Sequence, residues 1–191
     1  HHWSLRDAHD AVAVVSAYLA AYNAKSVGVK YYIAQYMFNT PPSTYGSMDL
    51  AKMLAKAEMI ESLHDDNFTS MRQVRTGLLS LSPDMDVARG QLASSVTLAL
   101  GLKPQIIHVV SYTEADHAAT ADDVIESCKI VRGVMKNCLF GFCDLAADER
   151  VMRRKDELVR EAKLILQVMG ALKGDTPDPL TDPKALAGAL K

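Results

Sequence analysis

The sequence predicts an α/β protein in which β-strands alternate with α-helices around a parallel sheet. Apolar residues recur at helical spacing in five separate segments. Three short runs rich in β-branched and aromatic residues lie between them, and glycine, proline or polar residues separate neighbouring segments. Because consecutive strands separated by a helix need crossover connections, this order favours parallel pairing with right-handed crossovers.

The first half of the chain predicts two helices and two strands. A helix is expected over residues 5–23, and Gly28 ends it as a glycine past a helix C-terminus commonly does. A strand follows over residues 29–38. A second helix begins near Asp49, and a second strand is predicted near residues 68–74. The apolar face of the second helix consists of Leu50, Met53, Leu54, Ala57 and Ile60.

The second half continues the alternation. A third helix is predicted over residues 82–100, and the mostly apolar run at residues 105–112 is typical of a strand in a buried parallel sheet. Thr120, with Asp123 three residues later, forms a capping-box pattern that begins a fourth helix. A last helix is expected over residues 146–171.

Three predicted strands are too few to close an eight-stranded barrel, which needs about 200–250 residues. Two interpretations therefore stay open: a small open α/β domain, or a partial TIM-barrel-like set of βα units with a C-terminal helix. Residues 1–173 are interpreted as the partial (β/α) barrel domain. Residues 174–191, which contain Asp-Pro steps, are interpreted as a tail or linker that leads into a short helix.

The composition excludes several classes of function. With 21 basic and 23 acidic side chains, the chain lacks the basic balance of a nucleic-acid-binding protein. No uncharged apolar run is long enough to span a bilayer, and no signal-peptide pattern is present, so a soluble cytoplasmic protein is expected. The cysteines Cys128, Cys138 and Cys143 form no C-x-x-C pair, so packing in a reducing compartment is favoured over metal binding.

Ligands of parallel α/β folds bind at the carboxyl ends of the strands, so the turns that follow the predicted strands are the candidate site. The first turn contains Asn39, and the second contains Arg72 and Arg75. The third turn places a phenol, two carboxylates and an imidazole within six residues. These are Tyr112, Glu114, Asp116 and His117.

Charges of both signs suit a zwitterionic substrate, because arginine binds a carboxylate through two parallel hydrogen bonds and a carboxylate receives an ammonium group. The alternative is that these residues are solvated loop charges or helix caps. The spacing of His117 with Glu114 and Asp116 matches no standard zinc pattern, so no metal is expected. His108, inside the third predicted strand, is interpreted as a satisfied core histidine.

Four stretches of the chain resemble a known enzyme family. They are Met37-Phe-Asn-Thr-Pro-Pro-Ser, Ser47-Met-Asp-Leu-Ala-Lys-Met-Leu-Ala-Lys, Arg72-Gln-Val-Arg-Thr-Gly, and Glu114-Ala-Asp-His-Ala-Ala-Thr with Val124-Ile-Glu-Ser-Cys-Lys-Ile-Val-Arg. Over residues 29–132 the chain resembles the barrel subunit of the aminomutases that use pyridoxal phosphate and adenosylcobalamin, the lysine 5,6- and ornithine 4,5-aminomutases.

The resemblance implies an isomerase that moves an amino group of a diamino acid between adjacent carbons. It implies a partial TIM barrel whose partner is a cobalamin-binding Rossmann domain or subunit, in an oligomer, and whose isolated piece is inactive. The lysine that carries pyridoxal phosphate lies on the partner in that family. The D-x-H-x-x-G cobalamin signature is absent from this chain.

Residue roles within this family are hypotheses from turn position and charge. Arg72 or Arg75 would bind the substrate carboxylate, with Glu114 or Asp116 at the ammonium group. Asn39, Tyr112 and His117 would contact the cofactor, and Arg72, Arg75 and Glu114 are the expected catalytic residues. Two other interpretations stay open: another barrel or open α/β enzyme that acts on a small anionic metabolite, and a non-catalytic interaction subunit.

Overall fold

The structure, a computed structural model, describes residues 8–38, 45–78, 81–141, 143–172 and 177–191, and the strand–helix alternation predicted from the sequence is confirmed. Six α-helices and three β-strands are formed by these described residues. The helices are α1 (Asp10–Ser26), α2 (Gly46–Glu61), α3 (Met85–Leu100), α4 (Ala121–Leu139), α5 (Glu149–Ala171) and α6 (Pro183–Ala189), and the strands are β1 (Tyr31–Phe38), β2 (Thr69–Thr76) and β3 (Ile106–His108).

The three strands form one parallel sheet in the order β1-β2-β3, so each strand lies beside the next one along the chain. The backbone N–H of Gly77 donates to the carbonyl of Phe38 at 2.9 Å, just past the ends of β1 and β2. Between β2 and β3, Gln73 pairs with Ile106 and Arg75 with His108. The strands therefore end at one common edge of the sheet.

Two of the helix starts follow directly from local sequence. The Asp84 carboxylate accepts hydrogen bonds from two backbone N–H groups in the first turn of α3. At α4 the Thr120 hydroxyl accepts from the Asp123 backbone N–H, and the Asp123 carboxylate accepts from the Thr120 backbone N–H at 2.8 Å. The predicted capping box is thus confirmed. It satisfies two groups that a helix terminus otherwise leaves without a partner.

The third strand is shorter than predicted. It was expected to cover residues 105–112, but β3 ends at His108, and a 3-10 helix occupies Tyr112–Ala115. The cause is local: the Ser111 hydroxyl accepts a hydrogen bond from the Thr113 backbone N–H and caps this turn. A serine hydroxyl competes with the sheet for backbone hydrogen bonds in this way, so the apolar run Ile107–Val110 continues beyond the strand.

The described residues divide into two compact units. One comprises residues within 1–33, 54–70 and 153–191, and the other comprises residues 34–53 and 71–152. The core of the first unit contains Ala11, Val14, Val15, Leu19, Ala55, Met59, Leu158, Val159, Ala162, Met169 and Ala185. The core of the second contains Ala88, Leu92, Val96, Tyr112 and Val131.

The short helix predicted near the C-terminus is confirmed as α6, and it belongs to the first unit. Ala185 of α6 is buried in that core, and the Tyr22 hydroxyl donates a 2.7 Å hydrogen bond to Asp178 just before it. The hydrogen bond to Asp178 raises the pKa of Tyr22 to about 12. In the described part of the chain, no helix has both the length and the apolar character needed to cross a membrane.

Replacing Thr120 with alanine tests the capping box. We expect Thr120→Ala to lower the free energy of unfolding by about 1 kcal/mol, because it removes a side chain that satisfies the first turn of α4. Urea denaturation followed by circular dichroism measures the change. Ser94→Ala, at an exposed position of α3, is the control and should change stability little. Equal stability of Thr120→Ala and the parent would show that the cap contributes nothing.

Candidate functional site

The two faces of the sheet differ in burial. On one face Ala34, Tyr36, Phe38, Val74 and Thr76 are at most 2% exposed. The neighbouring Ile107 packs against the core residues of α3. Side chains of the opposite face, here called the open face, are half-buried or exposed. Within the second unit they are Gln35, Met37, Met71, Gln73, Arg75, Ile106 and His108. Parallel sheets normally have both faces covered, so an open polar face is unusual.

Arg75 and His108 lie side by side at the carboxyl end of the open face. They are register partners on β2 and β3, so their Cα atoms are about 5 Å apart and their side chains leave the same face. The nearest polar contact of the Arg75 guanidinium is a long 3.4 Å hydrogen bond from Nε to the carbonyl of Thr76. Among the described residues no carboxylate pairs with Arg75. Its guanidinium therefore has donors to offer an anion.

The interpretation of His108 as a satisfied core histidine is wrong, because its side chain is exposed. Residues of a strand alternate between faces, so His108 lies opposite Ile107, which packs against α3. The alternation of apolar Ile107, polar His108 and apolar Val109 could have predicted that His108 is exposed. This pattern was hard to recognise because Ile106, on the same face as His108, is also apolar.

Arg72 lies on the face of β2 opposite to Arg75 and has a different environment. Its Nη1 donates a 2.6 Å hydrogen bond to the carbonyl of Leu102, and its backbone N–H donates to Gln105 Oε1 at 2.7 Å. Leu102 and Gln105 belong to the segment between α3 and β3, at the amino end of β3. The structure thus brings Arg75, and not Arg72, to the carboxyl end of the open face.

Two glutamine side chains of the open face, Gln35 and Gln73, form a hydrogen bond next to Arg75. The Gln35 amide donates a 3.2 Å hydrogen bond to the Gln73 Oε1 across β1 and β2. Gln73 is two residues before Arg75 on the same strand, so the two side chains share a face. The open face therefore presents amide, guanidinium and imidazole groups in succession.

Tyr112 is held by a network that joins α3, the 3-10 helix and α4. Its hydroxyl donates to Glu126 Oε2 at 2.5 Å and accepts from Arg89 Nη2 at 3.0 Å. Arg89 Nε also donates to Glu126 Oε1 at 3.0 Å, and its guanidinium lies 4.6 Å from the centre of the Tyr112 ring. Tyr112 is 2% exposed, and its hydroxyl already has a donor and an acceptor. This network positions the segment that follows β3.

The same network determines the protonation of its members. The hydrogen bond from Tyr112 lowers the pKa of Glu126, and the bond from Arg89 lowers it further. The carboxylate of Glu126 raises the pKa of Arg89 and of Tyr112. Glu126 is therefore an anion and Arg89 a cation across the ordinary range of pH, so the contact between α3 and α4 is charge-assisted.

The other predicted residues of this segment form an exposed group. His117 Nδ1 lies 2.8 Å from Asp116 Oδ2, and its Nε2 lies 3.5 Å from the capping carboxylate of Asp123. The hydrogen bond with Asp116 raises the pKa of His117. Glu114, in the 3-10 helix, is exposed. Asn39 lies outside the described residues, and among those that are described no His, Cys, Asp and Glu side chains form a group able to hold a metal ion.

A buried ion pair in α2 was not predicted. Lys52 Nζ lies 3.8 Å from Asp49 Oδ1, and the two side chains are 5% and 0% exposed. Buried charges are costly unless they are paired and hydrogen-bonded. The apolar pattern gave no signal for this pair: at about 100° per residue, Lys52 lies about 160° around α2 from Leu50, outside the face that the pattern assigns to the core.

Two buried hydroxyls lie behind the end of β2. Thr76 and Ser95 are 2% and 1% exposed, and neither hydroxyl has a hydrogen-bond partner among the described residues. Both border a cavity of about 10 Å³ between the helix-covered face of the sheet and α3. A buried hydroxyl without a partner lowers stability, and such groups are often retained at functional sites.

The comparisons with known proteins identify no family: no family model matches the chain, and no curated protein matches it.

Glu126→Gln tests the charge-assisted network by its pH dependence. The pKa of Glu126 is lowered in the folded protein, so its stabilising contribution is complete above the ordinary glutamate pKa of about 4.3 and is lost as pH falls through the folded value. We expect the melting temperature of Glu126→Gln to fall less between pH 7 and pH 3 than that of the parent. Glu114→Gln, at an exposed side chain, should retain the parent's pH dependence. Identical profiles for all three proteins would contradict the assignment.

Thr76→Val tests the unsatisfied hydroxyl. Because the valine methyl replaces a buried group without a partner, we expect the free energy of unfolding to rise by about 1 kcal/mol. Thr113→Val is the matched control: the Thr113 hydroxyl is also buried but lies 2.9 Å from the Ser111 hydroxyl, so its removal should destabilise the protein. Chemical denaturation measures both, and a loss of stability in Thr76→Val equal to that of Thr113→Val would overturn the argument.

Proposed function

We propose that this chain is part of the barrel catalytic subunit of a radical aminomutase that moves an amino group of ornithine or lysine between adjacent carbons. The proposal starts from the resemblance over residues 29–132. The single structural observation that supports it is the open polar face of the parallel sheet, with Arg75 beside His108 at its carboxyl end. Barrel enzymes bind their substrates at this end of the strands.

The polar groups differ in their availability for a substrate. Arg75 has no carboxylate partner among the described residues, and His108 and Glu114 are exposed. We assign the substrate carboxylate to Arg75 and the ammonium group to Glu114, with Asp116 as the second candidate. Arg72 is assigned to the support of the segment before β3, because its guanidinium donates to the carbonyl of Leu102.

The proposed cofactors follow from the family resemblance. A guanidinium without a carboxylate partner among the described residues, beside an exposed imidazole, fits an anionic ligand, whether a substrate carboxylate or a phosphate group. Pyridoxal phosphate and adenosylcobalamin, when bound, would supply electron delocalisation and a radical source respectively. In this proposal His117 and Asn39 contact the cofactor. Tyr112 acts mainly through its hydrogen bonds to Glu126 and Arg89, which orient the 3-10 helix after β3.

The proposal includes a partner and a location. A cobalamin-binding Rossmann domain or subunit completes the site, and the enzyme acts in the cytoplasm. The role of this chain is to bind and orient the diamino acid so that one amine reacts. Since three strands cannot enclose a substrate, activity requires the partner.

Reconstitution tests the proposed activity. The protein is mixed with the cobalamin-binding partner, pyridoxal phosphate, adenosylcobalamin and either ornithine or lysine, and the isomeric diamino acid is measured by mass spectrometry. We expect product only from the complete mixture. Arg75→Ala should raise KM by roughly 10- to 100-fold, as expected for the loss of hydrogen bonds worth about 1.5–3 kcal/mol.

Arg153→Ala, which removes an exposed arginine of α5, is the matched control and should leave KM unchanged. The proposal fails if the complete mixture yields no isomer from either amino acid and the visible spectrum of the cobalamin does not change.

The pairing of Arg75 with His108 also supports a second candidate, an enzyme that acts on a small anionic metabolite without cobalamin. That function predicts turnover by the chain without the partner. It also predicts that phosphorylated and carboxylated metabolites protect the protein from thermal unfolding, and that Arg75→Ala abolishes this protection.

A further inference from the structure

Helix α4 has one flank that is packed and another that is exposed. On the packed flank, Ser127 and Val131 are buried, and Ile130 and Val134 contact the core residues of α3. On the other side several large apolar side chains remain exposed, including Val124 at 44%, Met135 at 36% and Leu139 at 84%. The apolar face of α4 is therefore wider than the area covered by α3.

Three of the exposed apolar residues and the half-buried Cys128 lie along one stripe of α4, which is interrupted between Cys128 and Met135. With about 100° per residue, Val124, Cys128, Met135 and Leu139 fall within about 60° of one another around the helix. We call these four residues the outer row. From Val124 to Leu139 it extends about 22 Å along the helix, at about 1.5 Å per residue. A row of this length matches four turns of a second helix laid alongside it.

Three cations border the outer row on one side. Lys129, Arg132 and Lys136 are exposed and are spaced three and four residues apart, so their charges are neighbours on the helix surface. Like charges at this spacing destabilise a helix. Within the described ranges none of the three forms an ion pair with a carboxylate. The same three residues line a shallow groove with Gly133, Met135 and Leu139.

The position of α4 in its layer identifies the kind of partner. β3 is the last strand in the order β1-β2-β3, and α4 follows β3 along the chain. Helices of a βα layer pack side by side at about 8–10 Å, and α3 already occupies one side of α4. A further helix of such a layer would lie on the side of α4 that α3 does not cover.

The three cations beside the outer row indicate which side chains the partner helix would carry. The cations beside the outer row favour a partner helix with anionic side chains at the matching positions, and the outer row favours an apolar stripe on that helix. A second copy of this chain, packed antiparallel about a two-fold axis, would bring the same cations together. The whole chain has a formal net charge of −2, which disfavours binding to an anionic membrane or to nucleic acid.

We propose that the outer row and its three cations form a docking surface for an amphipathic α-helix of a partner protein, whose apolar stripe is bordered by aspartate or glutamate. This inference uses only the surface of α4 and does not depend on the proposed aminomutase activity. It corresponds to the recognition mode in which a helix places its apolar side chains in a groove.

A designed peptide tests the surface. The probe is a fluorescein-labelled, lactam-stapled 18-residue helix with leucines at three- and four-residue spacing and glutamates beside them, and its counterpart has lysine in place of every glutamate. We expect saturable binding by fluorescence anisotropy, at least about 10-fold tighter for the glutamate peptide and weaker at high salt. Leu139→Asp should weaken binding at least about 10-fold.

Two further variants make the test specific. The combined variant Lys129→Glu, Arg132→Glu and Lys136→Glu should reverse the preference in favour of the lysine peptide. Leu164→Asp, at a leucine of α5 that is 61% exposed, is the matched control and should bind like the parent. Circular dichroism verifies that each variant is folded, which is expected because all the changed side chains are exposed.

Several results would overturn the inference. They are equal or absent binding of the two peptides, equal weakening by Leu164→Asp and Leu139→Asp, binding to phosphatidylglycerol vesicles that Leu139→Asp abolishes, and a dimer of the chain that Leu139→Asp dissociates. The assay measures no turnover, so its failure leaves the proposed activity unaffected, and an inactive reconstituted mixture leaves the docking surface unaffected.

Discussion

The rest of the structure depends on the alternation of side chains along three parallel strands. One set of side chains faces the helices and is almost fully buried, and the other set forms the open face. Because a strand residue has only these two directions, a polar residue of the sheet lies either on the open face or beneath the helices, where burial is costly unless a hydrogen-bond partner is present. Arg75 and His108 illustrate the first outcome, and Arg72, which donates to Leu102, illustrates the second.

The end of β3 is governed by hydrogen bonds more than by apolar packing. Ser111 caps a 3-10 turn, Tyr112 inserts its ring into the core of the second unit, and the tyrosine hydroxyl joins Arg89 to Glu126. The capping box at Thr120 then begins α4. These contacts give the exposed residues Glu114, Asp116 and His117 a defined backbone, which a site at the carboxyl edge requires.

The candidate site was only partly predictable from the sequence. Charge near a predicted strand end singled out Arg75, although it lies inside β2 and not in the turn predicted after that strand. The motif Thr120–Asp123 identified a helix start, because it depends on residues close in the chain. The exposure of His108 and the burial of Asp49 with Lys52 were missed. Each depends on which face of an element the neighbouring helices cover, and side-chain pattern alone does not specify this when apolar residues occur on both faces.

The sequence by itself determined the α/β class, the order of helices and strands and the caps at the helix ends, because these follow from periodicity and from hydrogen bonds between near neighbours. Only the tertiary structure decided which of two arginines on one strand reaches the open face, and which tyrosine hydroxyl is already engaged. The physical reason is that burial and hydrogen-bond partners across the sheet depend on contacts between distant segments. The residues on either side of Arg75 along β2, Val74 and Thr76, face the helices and are buried, so a shift of one residue along the strand would bury Arg75.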